Sequence, residues 1–213
     1  AKEALADSGL AKANDDPRVS VIIGSCVGGA VSIEHYYKHG KNKADILKMP
    51  IAPIASQVAE LAGAGGIVTN VGNACAAGTI SIAYACDLIR AGKADVVLAG
   101  GADSFASIPY AGFLSLHALD ENGCSPFNRC TGITLGEGAA FFVLAKDDVD
   151  GTQTVLLGAG ESSDASHMTA PLADGSGAAQ AMRAALADAG VRADAIDYVN
   201  LHGTGTKLND SME

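Results

Sequence analysis

The amino-acid sequence predicts an α/β fold, in which short buried strands alternate with helices built from small apolar residues. Runs of β-branched and apolar residues recur along the chain, each leads into a glycine-containing turn, and helical patterns stand between them. Of the 213 residues, 48% are apolar and 18% are charged, which argues against disorder and allows a large interior. The 26 glycines exceed what surface loops need, so many are expected at tight turns and close backbone contacts.

The predicted elements of the first half of the chain begin with a helix within residues 1–10, which Gly9 follows in the position just after the last turn. The next elements, in order, are a strand over 18–25, a glycine-rich turn and helix over 26–40, a helix over 53–66 that stops at Gly65 and Gly66, a strand over 66–71, a helix from about Cys75 to about Arg90, and a strand over 95–103.

The second half of the chain continues the same alternation. Strands are predicted over 136–145 and 154–164, a helix over 177–191 ends at Gly190, and a last strand begins at Ile196 and runs into a polar, glycine-containing turn. No linker rich in Pro, Ser and Gly divides the chain, so the sequence predicts one domain over residues 1–213.

Charge and cysteine content narrow the class of protein. The formal net charge of −10, with no cluster of Lys and Arg, argues against a partner nucleic acid. No window has the pattern of a signal peptide or the roughly 18 apolar residues of a membrane span. The five cysteines form no CxxC pair, which favours reduced thiols and a cytoplasmic protein. Residues 1–10 start in mid-helix and 208–213 end without a cap, so we expect an internal piece of a longer protein.

Cys75 lies where a predicted strand turns into a helix, beside Ala74 and Ala76 and three residues before Gly78. The N–H groups of a first helical turn and the helix dipole favour the thiolate form of a cysteine. Small neighbours leave space for an acyl chain, and the Cys75 N–H can donate to an oxyanion. The pattern allows a nucleophile or a small cysteine that fills a core gap, and for Cys86 it favours the core.

His202 directly follows the last predicted strand and is followed by a Gly-Thr-Gly-Thr turn. A histidine at such a place can face a cavity and act as an acid, a base or a hydrogen-bond donor. Thr204 and Thr206, at alternate positions, can offer hydroxyls to a polar ligand. The turn lacks the Gly-Lys-Ser/Thr of a phosphate loop and opens no obvious helix, and an inert surface loop is the alternative.

Five segments carry a family resemblance in combination: NACAAG (73–78), ADVVLAGGAD (94–103), SPFN…GITLGEGAAFFVLA (125–145), SSDASHMTAPLADGSG (162–177) and VNLHGTGTKLND (199–210). Together they resemble the β-ketoacyl-acyl carrier protein synthases, the condensing enzymes of the thiolase-like superfamily. They occur in the family's order, at about its spacing, and over essentially the whole chain. The SSDASHMTAP stretch is most similar to the elongating synthases of dissociated fatty acid systems, and next to related polyketide-type enzymes.

The resemblance implies an acyltransferase with a layered αβαβα fold, of which this chain holds only part. The end of the first half-domain would span 1–150, and the start of the second would span 151–213. The implied reaction is the decarboxylative Claisen condensation of an enzyme-bound acyl group with malonyl-acyl carrier protein, which gives 3-oxoacyl-acyl carrier protein in fatty acid or polyketide biosynthesis. The implied partners are acyl carrier protein and acyl and malonyl thioesters, with a homodimer formed along the strand near 66–71.

The resemblance also implies roles for individual residues. Cys75 matches the nucleophile, and its presence distinguishes the chain from proteins of the chain-length-factor type. His202 matches the first of two active-site histidines, and Thr204 and Thr206 match residues that hydrogen-bond the phosphopantetheine arm. His167 is expected near the site in a structural or substrate-adjacent role, and Ile108 and Phe113 lie in the segment next to the family's acyl pocket. No metal or cofactor is implied, since the phosphopantetheine belongs to the carrier protein.

The chain departs from the family pattern in two places. The segment PFNRCTGITLGEGA is one residue shorter than usual and has Cys130 where a charged residue is common, which predicts a reshaped loop. The family's second histidine, lysine and gating loop follow the HGTGT segment, so we expect these 213 residues alone not to condense. A thiolase or starter-unit synthase acting on coenzyme A thioesters, or a catalytically incomplete dimerisation or scaffold partner, remains an alternative. A nucleotide-binding module is disfavoured, because no G-x-G-x-x-G with its acidic residue follows a strand.

Overall fold

The structure, a computed structural model, describes residues 1–10, 15–146, 154–167 and 169–213. These residues form two units, one of Ala1–Ile108 with Gly136–Val155, and one of Pro109–Leu135 with Leu156–Glu213. The extent of the predicted domain and its division at residue 150 stay predictions.

A four-stranded mixed sheet lies at the centre of the first unit, in the spatial order β2-β1-β3-β4. β1 runs parallel to β2 and β3, whereas β4 runs antiparallel to β3. All four strands fall within runs that the sequence predicts as strands, so the α/β class is confirmed. The strands are β1 (Val19–Gly24), β2 (Val68–Val71), β3 (Val96–Asp103) and β4 (Gly138–Ala145).

The predicted helices are present, and short ones were missed. The helices are α1 (Lys2–Asp7), α2 (Ala30–Lys38), α3 (Lys43–Ile46), α4 (Ala52–Ala62), α5 (Ala77–Arg90), α6 (Ser107–Ser115), α7 (Ser176–Ala189) and α8 (Lys207–Met212), with 3₁₀ turns at Ala74–Ala76 and Ala193–Ala195. The sequence did not predict α3, α6 or α8. Gly9 follows α1 with a φ of 68°, and Gly190 ends α7 with a φ of 65°, as predicted.

The predicted end of α4 is wrong. The helix stops at Ala62, because Gly63 takes a left-handed φ of 68° and closes the last turn. Gly65 and Gly66 serve a different purpose, since a Cβ at Gly65 would lie 2.2 Å from the Asp15 carbonyl oxygen. The two glycines therefore let the chain pass close to the segment that leads into β1.

The core of the first unit has a layer on each face of the sheet, because β1 and β3 are buried on both sides. Alternate residues along each strand point to opposite faces. One face packs Val21, Ile23 and Leu98 against Ala55, Ala59 and Ala62 of α4. The other packs Ile22, Val97 and Ala99 against Ala85 and Leu88 of α5. Small helix residues allow both helices to approach the sheet closely.

The N-terminus of α5 is held against the sheet by glycines. Gly24, the last residue of β1, lies so close to α5 that a Cβ there would be 2.2 Å from the Ala77 carbonyl oxygen and 2.5 Å from the Gly78 nitrogen. A Cβ at Gly101, in β3, would lie 3.3 Å from the Gly78 Cα. One turn further, Ser81 is fully buried, and its hydroxyl lies 2.8 Å from the Gly100 carbonyl oxygen.

Replacing Gly24 with alanine is therefore expected to lower the free energy of unfolding by about 1–3 kcal/mol, the usual cost of overpacking a core. The added methyl has only backbone atoms of α5 to displace. Gly112 in α6 provides the matched control, since an added Cβ there meets no described atom within 4 Å. Gly112→Ala should stabilise by up to about 1 kcal/mol through helix propensity. Chemical denaturation of both variants measures the difference, and equal stabilities would contradict the assigned contact.

Two strand predictions in the second half of the chain are wrong. Among the described residues, neither 154–164 nor the run from Ile196 to Thr206 forms a strand, and Thr206 makes only an isolated bridge with Thr131. A strand requires a hydrogen-bonded neighbour, and the described residues provide none for these runs. Gly158 and Gly160 instead lie against α7, where a Cβ would be 2.4 Å from the Ala189 nitrogen and 2.3 Å from the Ala185 nitrogen.

No helix in the described part of the chain is both long enough and apolar enough to cross a lipid bilayer.

Candidate active site

Cys75 is exposed and lies in the 3₁₀ turn that connects β2 with α5. Ala74 precedes it with a left-handed φ of 47°, which costs a non-glycine residue about 1 kcal/mol. The Ala76 N–H closes the turn by donating to the Asn73 carbonyl at 3.1 Å. Since its side chain is exposed, Cys75 does not fill a gap in the core, whereas Cys86 of α5 is buried as predicted. The helix predicted from about Cys75 begins with this 3₁₀ turn, and its α-helical part starts two residues later.

The loop after β1 lies at the same edge of the sheet and is held by the carboxylate of Asp103, at the end of β3. This carboxylate accepts the Ser25 hydroxyl at 2.6 Å, the Cys26 N–H at 2.9 Å and the Val27 N–H at 2.8 Å. Cys26 is exposed and had no predicted role. Although the residue as a whole is exposed, partial burial of its sulfur raises the pKa of the Cys26 thiol, and negative charge on Cys75 and Asp103 raises it further.

Ile108 and Phe113, which the family resemblance places next to the acyl pocket, lie in α6. Glu34 of α2 fixes the first residues of this helix. The Glu34 carboxylate accepts the N–H groups of Ser107 and Ile108 and the Ser107 hydroxyl. Ile108 is exposed, and Phe113 is half-buried. α6 thus starts at a defined point, with its first turn capped by a side chain from a distant part of the sequence.

The His202 turn belongs to the second unit and is held by a carboxylate that follows it in sequence. Glu213 accepts the His202 N–H at 2.7 Å and the Gly203 N–H at 2.9 Å. The Thr204 and Thr206 hydroxyls lie 2.9 Å apart. The expectation that the turn opens no helix is wrong, because α8 follows directly with Thr206 as its N-cap residue. Glu213 directly follows the last residue of α8, and this helix therefore places it beneath the turn.

Asp210, also on α8, joins the turn to the loop that contains Cys130. Its carboxylate accepts the Phe127 N–H at 2.7 Å, the Gly205 N–H at 3.0 Å and the Cys130 thiol at 3.2 Å. The Phe127 N–H contributes most to lowering the pKa of Asp210, and the Cys130 thiol, the Asn209 side chain and the Gly205 N–H add to it. The sequence offered no expectation for Asp210 or Glu213, although both are acidic residues close behind a glycine turn.

The pH dependence of stability should report the role of Asp210. A carboxyl group with a lowered folded pKa stabilises above its unfolded value of about 3.9, and this contribution is lost as the pH falls through the folded pKa. We therefore expect Asp210→Asn to lower the melting temperature at pH 7, with a smaller difference from wild type below about pH 4. Asp197→Asn changes an exposed carboxyl in the same unit and is the control. A difference that stays constant across this pH range would contradict the ionic role.

The loop with Cys130, which the sequence predicts to be reshaped, has left-handed φ values of 57° at Phe127 and 51° at Cys130. The Gly132 N–H donates to the Gly205 carbonyl at 2.9 Å, and the Cys124 sulfur lies 3.2 Å from the Thr204 carbonyl oxygen. The loop therefore supports the turn that follows His202 through backbone contacts.

His167 has a local structural role. Its Nδ1 accepts the N–H groups of Thr169 and Ala170 at 3.1 and 3.0 Å, so in the neutral ring the proton lies on Nε2.

The four predicted site residues are divided between the two units. Cys75 lies in the first unit, and His202, Thr204 and Thr206 lie together in the second. Over the described ranges, no three His, Cys, Asp or Glu side chains are placed to hold a metal ion.

Two protein-family models match the chain, one over its first part and one over its second. The model of the β-ketoacyl synthase N-terminal domain matches residues 1–149, and that of the C-terminal domain matches residues 153–213. The chain belongs to the β-ketoacyl synthase family. Its predicted resemblance to this family is thereby confirmed.

Named relatives match the chain over nearly all of its length. The chain is 37% identical over 228 residues to nodulation protein E of a Rhizobium species, with 100% of this chain and 56% of the relative covered. It is 37% identical over 234 residues to 3-oxoacyl-[acyl-carrier-protein] synthase 2 of Vibrio cholerae, with 99% and 56% covered. The chain thus spans about half the length of these curated relatives.

Solved ketosynthase structures have the same fold. The ketosynthase ApeO, in complex with its chain length factor ApeC from Xenorhabdus doucetiae, matches with a TM-score of 0.85 and 34% identity, over 100% of this chain and 53% of the other. AntDE:AntF, a type II PKS acyl-carrier protein in complex with its ketosynthase, matches with a TM-score of 0.88 and 26% identity, over 99% and 58%. The chain therefore forms part of a thiolase-like ketosynthase fold.

Proposed function

We propose that this chain contributes to a condensing enzyme that joins an acyl group to malonyl-acyl carrier protein with loss of carbon dioxide. The observation that carries the proposal is the exposed Cys75, which lies in the 3₁₀ turn before α5, directly after Ala74 with its left-handed φ. The first N–H groups of a helix favour the thiolate, which is the nucleophilic form of cysteine. Its small neighbours leave room for an acyl thioester to approach.

The first chemical step is acyl transfer to Cys75. The thiolate attacks the carbonyl carbon of an acyl thioester, the Cys75 N–H stabilises the oxyanion, and the carrier thiol leaves. Anchoring of α5 at Gly24 and Gly101 keeps the sulfur in place during the attack. The product is a thioester on Cys75.

The second step forms the carbon–carbon bond and uses His202. Malonyl-acyl carrier protein loses carbon dioxide, and a hydrogen bond from the His202 ring stabilises the enolate on the thioester oxygen. The enolate carbon attacks the acyl group on Cys75, and the thiolate leaves as the 3-oxoacyl thioester forms. Glu213 accepts the His202 backbone N–H and so holds the main chain from which the ring projects.

Thr204 and Thr206 are proposed to hydrogen-bond the phosphopantetheine arm of the carrier protein, with their hydroxyls 2.9 Å apart and directed by Gly203 and Gly205. No metal or cofactor is proposed for this reaction, because the thioester itself acidifies the α-carbon. We place the protein in the cytoplasm, where thiols stay reduced.

The proposed partners are acyl carrier protein and a second copy of this chain. β2 is an edge strand of the sheet, and an edge strand can pair with its equivalent across a two-fold axis. The solved relatives in complex with an acyl-carrier protein or a chain length factor support partners of this kind.

Covalent trapping tests the proposal. The purified whole protein to which these 213 residues belong is incubated with acyl-acyl carrier protein or with the matching acyl-coenzyme A, and the acylated residue is mapped by mass spectrometry. We expect acylation of Cys75 from the carrier protein, followed by 3-oxoacyl product when malonyl-acyl carrier protein is added. Preference for the coenzyme A ester would favour a thiolase or starter-unit synthase. Acylation spread over Cys26, Cys124 and Cys130, without product, would favour a scaffold.

A further inference from the structure

Cys26 and Cys75 follow adjacent strands of the sheet and are both exposed. β1 and β2 are parallel, with Gly24 opposite Val71, and the Ser25 N–H donates to the Val71 carbonyl at 3.1 Å. Cys26 comes two residues after β1, and Cys75 comes four residues after β2. Their two loops therefore leave the same edge of the sheet side by side.

Further contacts bring the two loops together. Gly24 lies against the backbone of Ala77 and Gly78, and each side of this contact is within three residues of one of the cysteines. The Asp103 carboxylate, which accepts the Cys26 N–H at 2.9 Å, holds Cys26 at this edge. The charge of Cys75 contributes, after burial, to the raised pKa of Cys26, in agreement with the placement of the two loops at one edge of the sheet.

We propose that Cys26 and Cys75 form a thiol pair that a low-molecular-weight disulfide converts into an intrachain disulfide. The inference rests on the thiolate role proposed for Cys75. The Cys75 thiolate attacks one sulfur of the small disulfide, whose S–S bond breaks and releases one thiolate. Cys26 then loses its proton and attacks the Cys75 sulfur, and the second small thiolate leaves. Two protein thiols are oxidised, and one small disulfide is reduced to two thiols that take up the protons.

The charges at the site determine how the rate of the second step depends on pH. The first step removes the negative charge of Cys75, and with it one cause of the raised pKa of Cys26. Burial and Asp103 still raise this pKa, so we expect the closing step to accelerate as the pH rises from about 7 to about 9. The resulting disulfide occupies the sulfur that accepts the acyl group, and a reducing agent restores it.

Treatment of the purified protein with 2-hydroxyethyl disulfide tests this pair. Digestion that includes chymotrypsin separates the relevant peptides, because Tyr84 lies between Cys75 and Cys86. We expect a Cys26–Cys75 cross-link in the wild type, a mixed disulfide on Cys75 alone in Cys26→Ser, and neither product at this site in Cys75→Ser. Cys124→Ser, which changes an exposed thiol of the second unit, should match the wild type.

A wild type that stops at the mixed disulfide even at pH 9, or cross-links Cys75 mainly to another cysteine, would overturn the pairing. The masses are read without any activity measurement, so the outcome is separable from the proposed function. A cross-link in a protein that cannot be acylated would leave the pair standing and remove the condensing role. Acylation at Cys75 without a cross-link would support the proposed function and overturn the thiol pair.

Discussion

Replacing Cys75 with alanine is expected to lower the rate of 3-oxoacyl product formation by about 10³-fold or more, because the proposed acceptor of the acyl chain is then absent. Acylation by acyl-acyl carrier protein should disappear with it. In the proposed mechanism decarboxylation of malonyl-acyl carrier protein depends on His202 instead, so part of it should persist, with the enolate taking up a proton. Product analysis by mass spectrometry separates these outcomes.

Cys86→Ala is the matched control for this substitution. Cys86 lies eleven residues further along the same chain segment and is buried in α5, so its loss should reduce stability through a small cavity while acylation continues. If Cys75→Ala retained acylation, the nucleophile would have to be another cysteine, and Cys26 would be the first to examine because of its position at the same edge of the sheet.

Replacing His202 with alanine is expected to lower the rate of condensation by about 10²–10³-fold, the effect of removing one hydrogen-bond donor from a developing oxyanion. In the proposed mechanism acyl transfer to Cys75 precedes the step that uses His202, and this transfer should continue in the variant. The variant should therefore accumulate acylated enzyme and release carbon dioxide slowly. Single-turnover measurements of acylation and of carbon dioxide release distinguish the two steps.

His117→Asn is the control for His202→Ala. His117 is an exposed histidine of the same unit with a left-handed φ of 54°, a conformation that asparagine tolerates. Its replacement should leave both steps unchanged. Equal loss of acylation and condensation in His202→Ala would indicate a disrupted turn, and the role assigned to the ring would then be wrong.

The sequence predicted the central sheet well because burial on both faces leaves a local signal. β1 and β3 are continuous apolar runs, and the sheet places them between α4 and α5. The run over 154–164 has the same local character and forms no strand. Pairing depends on a neighbour that is distant in sequence, and no local pattern contains that information.

The roles of individual glycines could not be predicted from the local sequence either. Gly63, Gly65 and Gly66 all follow one helical pattern, and only Gly63 ends the helix, whereas the others permit close backbone contact. Both uses produce the same letters in a sequence. The roles of Asp210 and Glu213 were missed because a carboxylate that accepts backbone N–H groups has no fixed spacing from them.

The contact of Gly24 with the start of α5 has a consequence for how enzymes of this kind diversify. A methyl at this position would collide with main chain, so a side chain at Gly24 can be accommodated only by moving the start of α5, and the turn that carries Cys75, away from the sheet. Under the role proposed for Cys75, a change in the acyl groups accepted is therefore expected from side chains that can be exchanged without moving that turn, such as the exposed Ile108 in the first turn of α6. A directed-evolution library would be best aimed there.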